Sequence, residues 1–446
     1  MIIDGWALAR ERAAMGDAAD QGEAAARHAR DLLARLGLPG APDPGADHPA
    51  LAWRRSGLMA VTGRPEGPGL VAPLALAAAA DGALAALASI APGAGLPPRG
   101  AALLGERARR LGLTRRGAVS PNGGCRLLAT ADGALALNLP RPDDWELVPA
   151  LLGEPAGSWD ALGAALAMRA TREMVERGRL LGLAIAPERP APPATPFQIE
   201  QLAAPSAARS EPPLVVDLSA LWAGPLAGDL LRGAGARVVK VESLRRPDGA
   251  RGGEPGFFDV LNGGKASLAL DFADPADLPR LRDLIEAADI VIEGSRPRAL
   301  AQLGIDAQAV ARSGATWVSI TAYGRTGEAG EAIGFGDDAA VAGGVAAAMR
   351  AAWGEPLFAG DAIADPLTGI TAALAAWAGW RQGGGRLVSL ALAQVVAHAA
   401  ALAAPKDVAD WQALAMADTA PLYPLRAPLA PARALGADTE AILAEL

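Results

Sequence analysis

A chain of 446 residues that is 51% hydrophobic and 20% charged can bury a large core and divides most naturally into two or three domains. Its net charge of −8 argues against a nucleic-acid partner, which would demand clustered Lys and Arg. A single cysteine, Cys125, excludes an internal disulfide and fits a reducing cytosol. The opening residues 1–21 mix acids and arginines where a secretory leader would be continuously apolar, so no export signal is expected and the protein is assigned to the cytoplasm.

Residues 1–100 read as a helical segment. Within it, residues 70–92 are long enough to span a bilayer, but they are mostly alanine with Asp81 near the middle. A central carboxylate costs roughly 2.5 kcal/mol or more to insert, so a buried helix is predicted and no membrane span. Residues 101–184 read as a small α+β domain. Two strand-like runs in 126–139 flank Asp132-Gly133, a strong hairpin signal, and Asp143 stands where it can cap the helix that follows. Cys125 has no histidine near it in sequence and reads as packing rather than as a nucleophile. Residues 185–213, rich in Pro, Ala and Ser, show no periodicity and read as an exposed linker.

From 214 to 405 short apolar runs at 214–219, 236–243, 266–272, 289–294, 315–324 and 386–392 alternate with helical patterns. Such runs predict an α/β fold: a Rossmann-like, doubly wound parallel sheet covered on both faces, whose ligands sit at the carboxyl ends of the strands. Residues 406–446 form a C-terminal tail. An internal repeat links the two halves: residues 56–90 slide onto 343–377 without gaps, matching Gly57 to Gly344, Gly67 to Gly354, Leu70 to Leu357 and Gly82 to Gly369. At this register Asp365 faces Ala78 and Asp361 faces Leu74, so the first copy is apolar where the second carries carboxylates.

The stretch DLSALWAGPLAGDLLRGAGARVVKVES (217–243) resembles the first strand, turn, helix and second strand of the class III CoA transferases, the family of formyl-CoA transferase, carnitine CoA-transferase and the methylacyl-CoA racemases. The likeness continues in order through LNGGKASLALDFADP, DIVIEGSRP, ITAYGRTGEAG, GFGDDAAVAGG and AIADPLTG, and the tail LGADTEAILAEL is similar to the family's last helix. The resemblance implies that Asp365 attacks an acyl-CoA thioester and then carries CoA as an aspartyl thioester. Covalent catalysis of this kind divides one hard exchange into easier steps. The plainer reading of Asp365, just before Pro366, is a helix N-cap. The resemblance further implies CoA as substrate rather than as a bound cofactor, no metal, and an acyl-CoA and a small carboxylic acid as partners. For CoA contacts it suggests Arg296, with Arg251 and Lys265, and the small residues Ala223, Gly224 and Pro225 for close backbone approach.

SPNGGCRLLATADGALALNL (120–139) is similar to the family's smaller domain, whose glycine loop closes over the reacting aspartate; Asn122, Gly123 and Gly124 match that loop, though a plain turn fits them equally. The small domain here comes first, as a fusion of two truncated copies would leave it, so a homodimer and an intrachain pseudo-dimer are both open. Trp222 stands where formyl-CoA transferase has a polar substrate contact, which implies a bulkier or more apolar acid than oxalate. The racemases use a histidine where this chain has Phe335, and His28, His48 and His398 match no such position. Racemisation is therefore disfavoured, whereas an intramolecular CoA-ester isomerisation and a non-catalytic CoA-binding role stay open.

Overall fold

The computed structural model describes residues 23–93, 95–206 and 212–445. Two sheets organise it. The small one is three-stranded and antiparallel, in the order β1 (Cys125–Ala129), β2 (Ala134–Asn138), β3 (Ala184–Pro187). The expected hairpin turn around Asp132-Gly133 is present, tied down where Thr171 N–H and Oγ1–H donate to the Asp132 carboxylate at 2.8 and 2.7 Å. Helices at 148–152, 159–166 and 171–180 cover Leu135, Leu137 and Ile185 to give this unit its own core. The cap differs from expectation. Asp144, not the exposed Asp143, takes the Arg141 N–H at 2.9 Å, because the segment begins as a 3-10 turn over Pro142–Leu147 and shifts the capping register.

The large sheet has seven strands in the order β4-β10-β9-β8-β5-β6-β7. Its members are β4 (Gln198–Gln201), β5 (Leu214–Leu218), β6 (Arg237–Ser243), β7 (Ala266–Leu270), β8 (Ile290–Glu293), β9 (Thr316–Thr321) and β10 (Arg386–Ala391). The pairs from β5 to β10 are all parallel, and β4 alone runs antiparallel, on β10. Adjacent residues enter different cores, Val215 and Val238 on one face, Val216 and Val239 on the other, which is why these strands read as unbroken apolar runs. Strand order reverses at β5, so a crevice opens at the carboxyl ends of β5 and β8.

The segment 185–213, read as a linker, starts inside β3 and supplies β4. β4 is an edge strand exposed on most of its length, so burial left no alternating signature in its sequence. Nor do residues 1–100 stand apart. Helices α1 (Ala24–Arg35), α2 (Leu76–Ile90) and α3 (Gly100–Arg110) share one core with α4 (Ala223–Gly233) and α6 (Ala364–Arg381), so the boundary at 100/101 falls at the start of a helix belonging to the large core. α2 is the buried helix predicted for 70–92, and no helix among the described residues is long and apolar enough to cross a membrane. Cys125 is fully buried and its thiol is pushed up by that burial, as a packing residue's would be.

The repeat has structural counterparts. Helix Pro49–Arg55 corresponds to α5 (Gly336–Ala342), and α2 to α6. Gly57 and Gly344 both adopt left-handed φ, +80° and +97°. Gly82 and Gly369 each lie where a Cβ would strike a neighbouring helix backbone, at Ala25 O and Ala223 O respectively. At this last pair both matched segments need the same close helix approach.

Candidate active site

Asp365 is the second residue of α6; Ile363 holds the N-cap position, so the plain capping reading of Asp365 does not apply. Its half-buried carboxylate lies over Gly336, the first residue of α5, where any Cβ would overlap Oδ2. No hydrogen bond among the described residues reaches that carboxylate. It faces a cavity of about 770 Å³, whose walls bring together segments far apart in sequence. Asn122, Gly123 and Gly124 come from the loop before β1, Leu221 and Trp222 from the turn after β5, Phe257 from helix 255–262, Phe335 from the start of α5, and Arg107 from α3. The glycine loop and the aspartate thus line the same cavity within one chain. Trp222 is buried and stacks edge-on against Phe257 with ring centroids 5.3 Å apart, giving the cavity an aromatic wall.

Among the described residues, the non-glycine positions with positive φ are Leu221 (68°) and Ala362 (44°), and both line this cavity. Each is pinned by a buried carboxylate: Leu221 N–H donates to Asp248 at 3.0 Å and Ala362 N–H to Asp337 at 2.9 Å. Backbone strain of this kind persists where surrounding structure over-determines it, and it clusters at functional sites.

Four carboxylates cluster here, Asp337 and Asp365 lining the cavity and Asp338 and Asp361 fully buried. Asn122 Nδ2 donates to Asp337 at 2.8 Å and more weakly to Asp361 at 3.4 Å. Asp361 is paired with Arg107 at 2.6 Å, and Asp338 accepts from Asn138 Nδ2 at 3.0 Å and from the Tyr323 hydroxyl. Burial pushes Asp365 up to about 7, helped by the charge of Asp337 and opposed by Arg107. Asp337 also rises to about 7, by burial and then by the charge of Asp361; Asp361 and Asp338 rise for the first of these reasons.

A second groove of about 650 Å³ runs along the carboxyl ends of β5, β6, β7 and β8 and meets the cavity at Gly249. Arg246 lines it and the half-buried Arg296 stands beside it, after Ser295; neither has an acidic partner within ion-pair distance among the described residues. Burial lowers the basicity of Arg296, reinforced by repulsion from Arg298, Arg141 and Arg246 and opposed by Glu331.

Several sequence candidates lie elsewhere. Lys265 is buried and spends its ammonium on Asp217 at 2.9 Å and Pro225 O at 2.8 Å, holding the entry to α4; the Leu-Asn-x-x-Lys pattern gave no sign of that depth. Arg251 is held by Glu242 at 2.6 Å and lies over the Phe258 ring. Ala223, Gly224 and Pro225 are buried behind the cavity wall, and the space left by Gly224 is filled by Ser219. Sequence patterns do not single out Arg107, Asp337, Leu221 or Phe257. Arg107 sits in a run of arginines whose inward face only packing decides, and Asp337-Asp338 belongs to a motif that by itself assigns the pair no role. None of the three histidines lines the cavity: His28 and His398 face each other 5.4 Å apart, and His48 caps helix Pro49–Arg55.

Comparison with known proteins places residues 213–424 in the family model described as CoA-transferase family III. The succinate–glutarate CoA-transferase of Agrobacterium fabrum is 31% identical over 208 residues, covering 42% of this chain and 52% of its own. The human succinyl-CoA:glutarate CoA-transferase is 29% identical, covering 37% and 40%. The acetyl-CoA:oxalate CoA-transferase of Acetobacter aceti is 29% identical, covering 26% and 31%. The chain thus spans about half or less of the length of these curated relatives. A crystal structure of a hypothetical protein from Mycobacterium tuberculosis aligns at a TM-score of 0.39 and 28% identity, over 43% of this chain and 58% of that one.

Proposed function

We propose, for a chain whose residues 213–424 belong to CoA-transferase family III, that it moves coenzyme A from an acyl-CoA to a carboxylic acid through an aspartyl-CoA thioester on Asp365. The observation that carries this reading is a carboxylate at the start of α6 facing a cavity with one aromatic wall that meets a groove at the carboxyl ends of the sheet. The groove suits the nucleotide end of CoA, with Arg246 and Arg296 as its phosphate contacts, and the pantetheine arm would pass Gly249 to bring the thioester to Asp365.

Asp365 attacks the thioester carbonyl, the C–S bond breaks, and CoA leaves as thiolate from a mixed anhydride. The thiolate then attacks the aspartyl carbonyl and expels the donor acid as carboxylate, leaving CoA on Asp365. An acceptor carboxylate repeats the two steps in reverse order, regenerating a free Asp365. No proton is gained or lost over the cycle. The loop Asn122-Gly123-Gly124 excludes water, which would otherwise hydrolyse the anhydride. The Trp222–Phe257 wall favours an acid with apolar surface over oxalate. The fused halves supply both loop and aspartate, so one chain acts as a pseudo-dimer. No histidine lines the cavity, so the histidine of the family's racemases has no counterpart here, whereas an intramolecular transfer would use the same aspartate.

The test is covalent. Enzyme incubated with a panel of acyl-CoAs should trap CoA on Asp365, hydroxylamine should convert that carboxylate to a hydroxamate found by peptide mass, and Asp361 should stay unmodified. A stable wild type that binds CoA without turnover or adduct would favour a non-catalytic role.

A further inference from the structure

The cavity is anionic to a degree the proposed chemistry does not explain. Asp365 and Asp337 line it, Asp338 and Asp361 are fully buried and add their charge to Asp365, and among the described lining residues the cations are Arg107 from α3 and Arg141. The lining residue Arg141 is otherwise engaged, its guanidinium on Asp144 and on Gly182 O at 2.8 Å. Four carboxylates in a partly dry pocket cannot all remain charged, and a protonated Asp365 is no nucleophile.

Arg107 is held from three sides. It bonds Asp361 at 2.6 Å, its guanidinium lies 5.8 Å from the centroid of Trp222, and its helix is anchored at its start and beside Arg107 itself. At the start of α3, Asp81 accepts the Ala101 N–H at 2.9 Å. On the residue before Arg107, Glu106 is clamped by Arg426 at 2.6 Å, and Arg426 also grips Asp229 of α4 at 2.6 Å. A lone surface arginine would need no such mounting.

We propose that Arg107, delivered by the half of the chain that lacks a nucleophile, supplies the positive charge that keeps Asp365 available as an anion, with Asp361 anchoring the guanidinium. This rests on the reading of Asp365 as nucleophile. The degenerate copy thereby acquires a role of its own, because with apolar residues where the second copy has carboxylates it contributes the countercharge. Arg107 acts through Asp365 and is thus a positioning residue.

The experiment reads Asp365 without turnover. Carbodiimide activates protonated carboxyls, so coupling of an amine to the Asp365 peptide, followed by mass, reports its protonation as pH is varied in the full-length protein. An opposite charge close to a carboxylate holds it down by about one to three pH units. In Arg107→Met the loss of labelling should therefore move up by about that amount, and kcat/KM at neutral pH should fall about tenfold or more while converging on wild type at high pH. Arg107→Lys should restore most of the wild-type profile. Arg107→Gln, which keeps a donor to Asp361, replaces the Met variant if that one does not fold. An unshifted Asp365 profile in a folded variant, or a shift confined to the Asp361 peptide, overturns the proposal. A shifted profile in an enzyme that never forms a CoA adduct instead sinks the transferase reading and leaves the assignment of Arg107 standing.

Discussion

At the scale of single residues, Asp365 and Gly336 form a unit. Because a Cβ at 336 would overlap Asp365 Oδ2 and press on the Ala362 backbone oxygen, Gly336→Ala must displace the attacking oxygen together with the entry to α6. A displacement near 1 Å can cost about a hundredfold where reaction depends on near-attack geometry. Gly336→Ala should therefore lower kcat by about that factor with CoA affinity near wild type, checked by steady-state kinetics and equilibrium binding; an unchanged kcat would remove the aspartate from the chemistry. The pH dependence follows from sign. Asp365 reacts as the carboxylate and burial lifts it to about 7, so kcat/KM should fall about tenfold per unit below that pH. Asp337→Asn removes the largest neighbouring charge and should move this limb to lower pH. Asp365, Trp222 and the Asn122 loop were legible because each sits in a motif. The burial of Lys265 was not, since a lysine at a strand entry looks alike whether it faces solvent or a buried aspartate such as Asp217.

At the scale of elements, the six strands β5 to β10 were legible because their apolar runs answer to two buried faces, while β4 was lost because an exposed antiparallel edge leaves no such trace. Asp81, whose charge would be costly in a bilayer, is costly in the fold as well. It is buried in α2 and raised to about 6, mainly by that burial and against the hydrogen bond from Ala101. A carboxyl whose folded value lies above its unfolded one contributes stability below the unfolded value that is lost as pH rises through the folded one. The ionised form therefore destabilises the protein at neutral pH by roughly 2–3 kcal/mol, at 1.36 kcal/mol per unit. Asp81→Asn keeps an acceptor for Ala101 and should raise the Tm at pH 7.5 while leaving it unchanged at pH 4. An equal gain at both pH values would mean that charge is not the cause.

At the scale of the whole molecule, the two halves are joined as one core, and His28 lies at that junction. It projects from α1 toward His398 on helix Leu392–Ala400, which places a buried imidazole between the first and last thirds of the chain. The junction was invisible in the sequence, where a composition break at 185–213 suggested separate units; shared burial of α1, α2 and α6 is a tertiary fact with no local signal. Burial lowers His28 to about 3, reinforced by His398 and Arg35 and opposed by Asp31. The histidine is thus neutral in the folded protein. A group whose folded value is depressed contributes stability above its unfolded value of 6.5, and that stability is lost as pH falls toward 3. By pH 4.5 the loss amounts to roughly 2–3 kcal/mol. Asp81 works in the opposite direction over part of this window, so the contribution of His28 is isolated by comparing wild type with His28→Gln rather than by the wild-type curve alone. In urea titrations from pH 7.5 to 4.5, His28→Gln should be less stable than wild type at the upper end, through imperfect packing, and should lose less on acidification. The difference between the two proteins should therefore narrow or reverse by pH 4.5. Parallel curves across the window would show that His28 takes up no proton on unfolding, and the junction of the halves would then carry no pH dependence of its own.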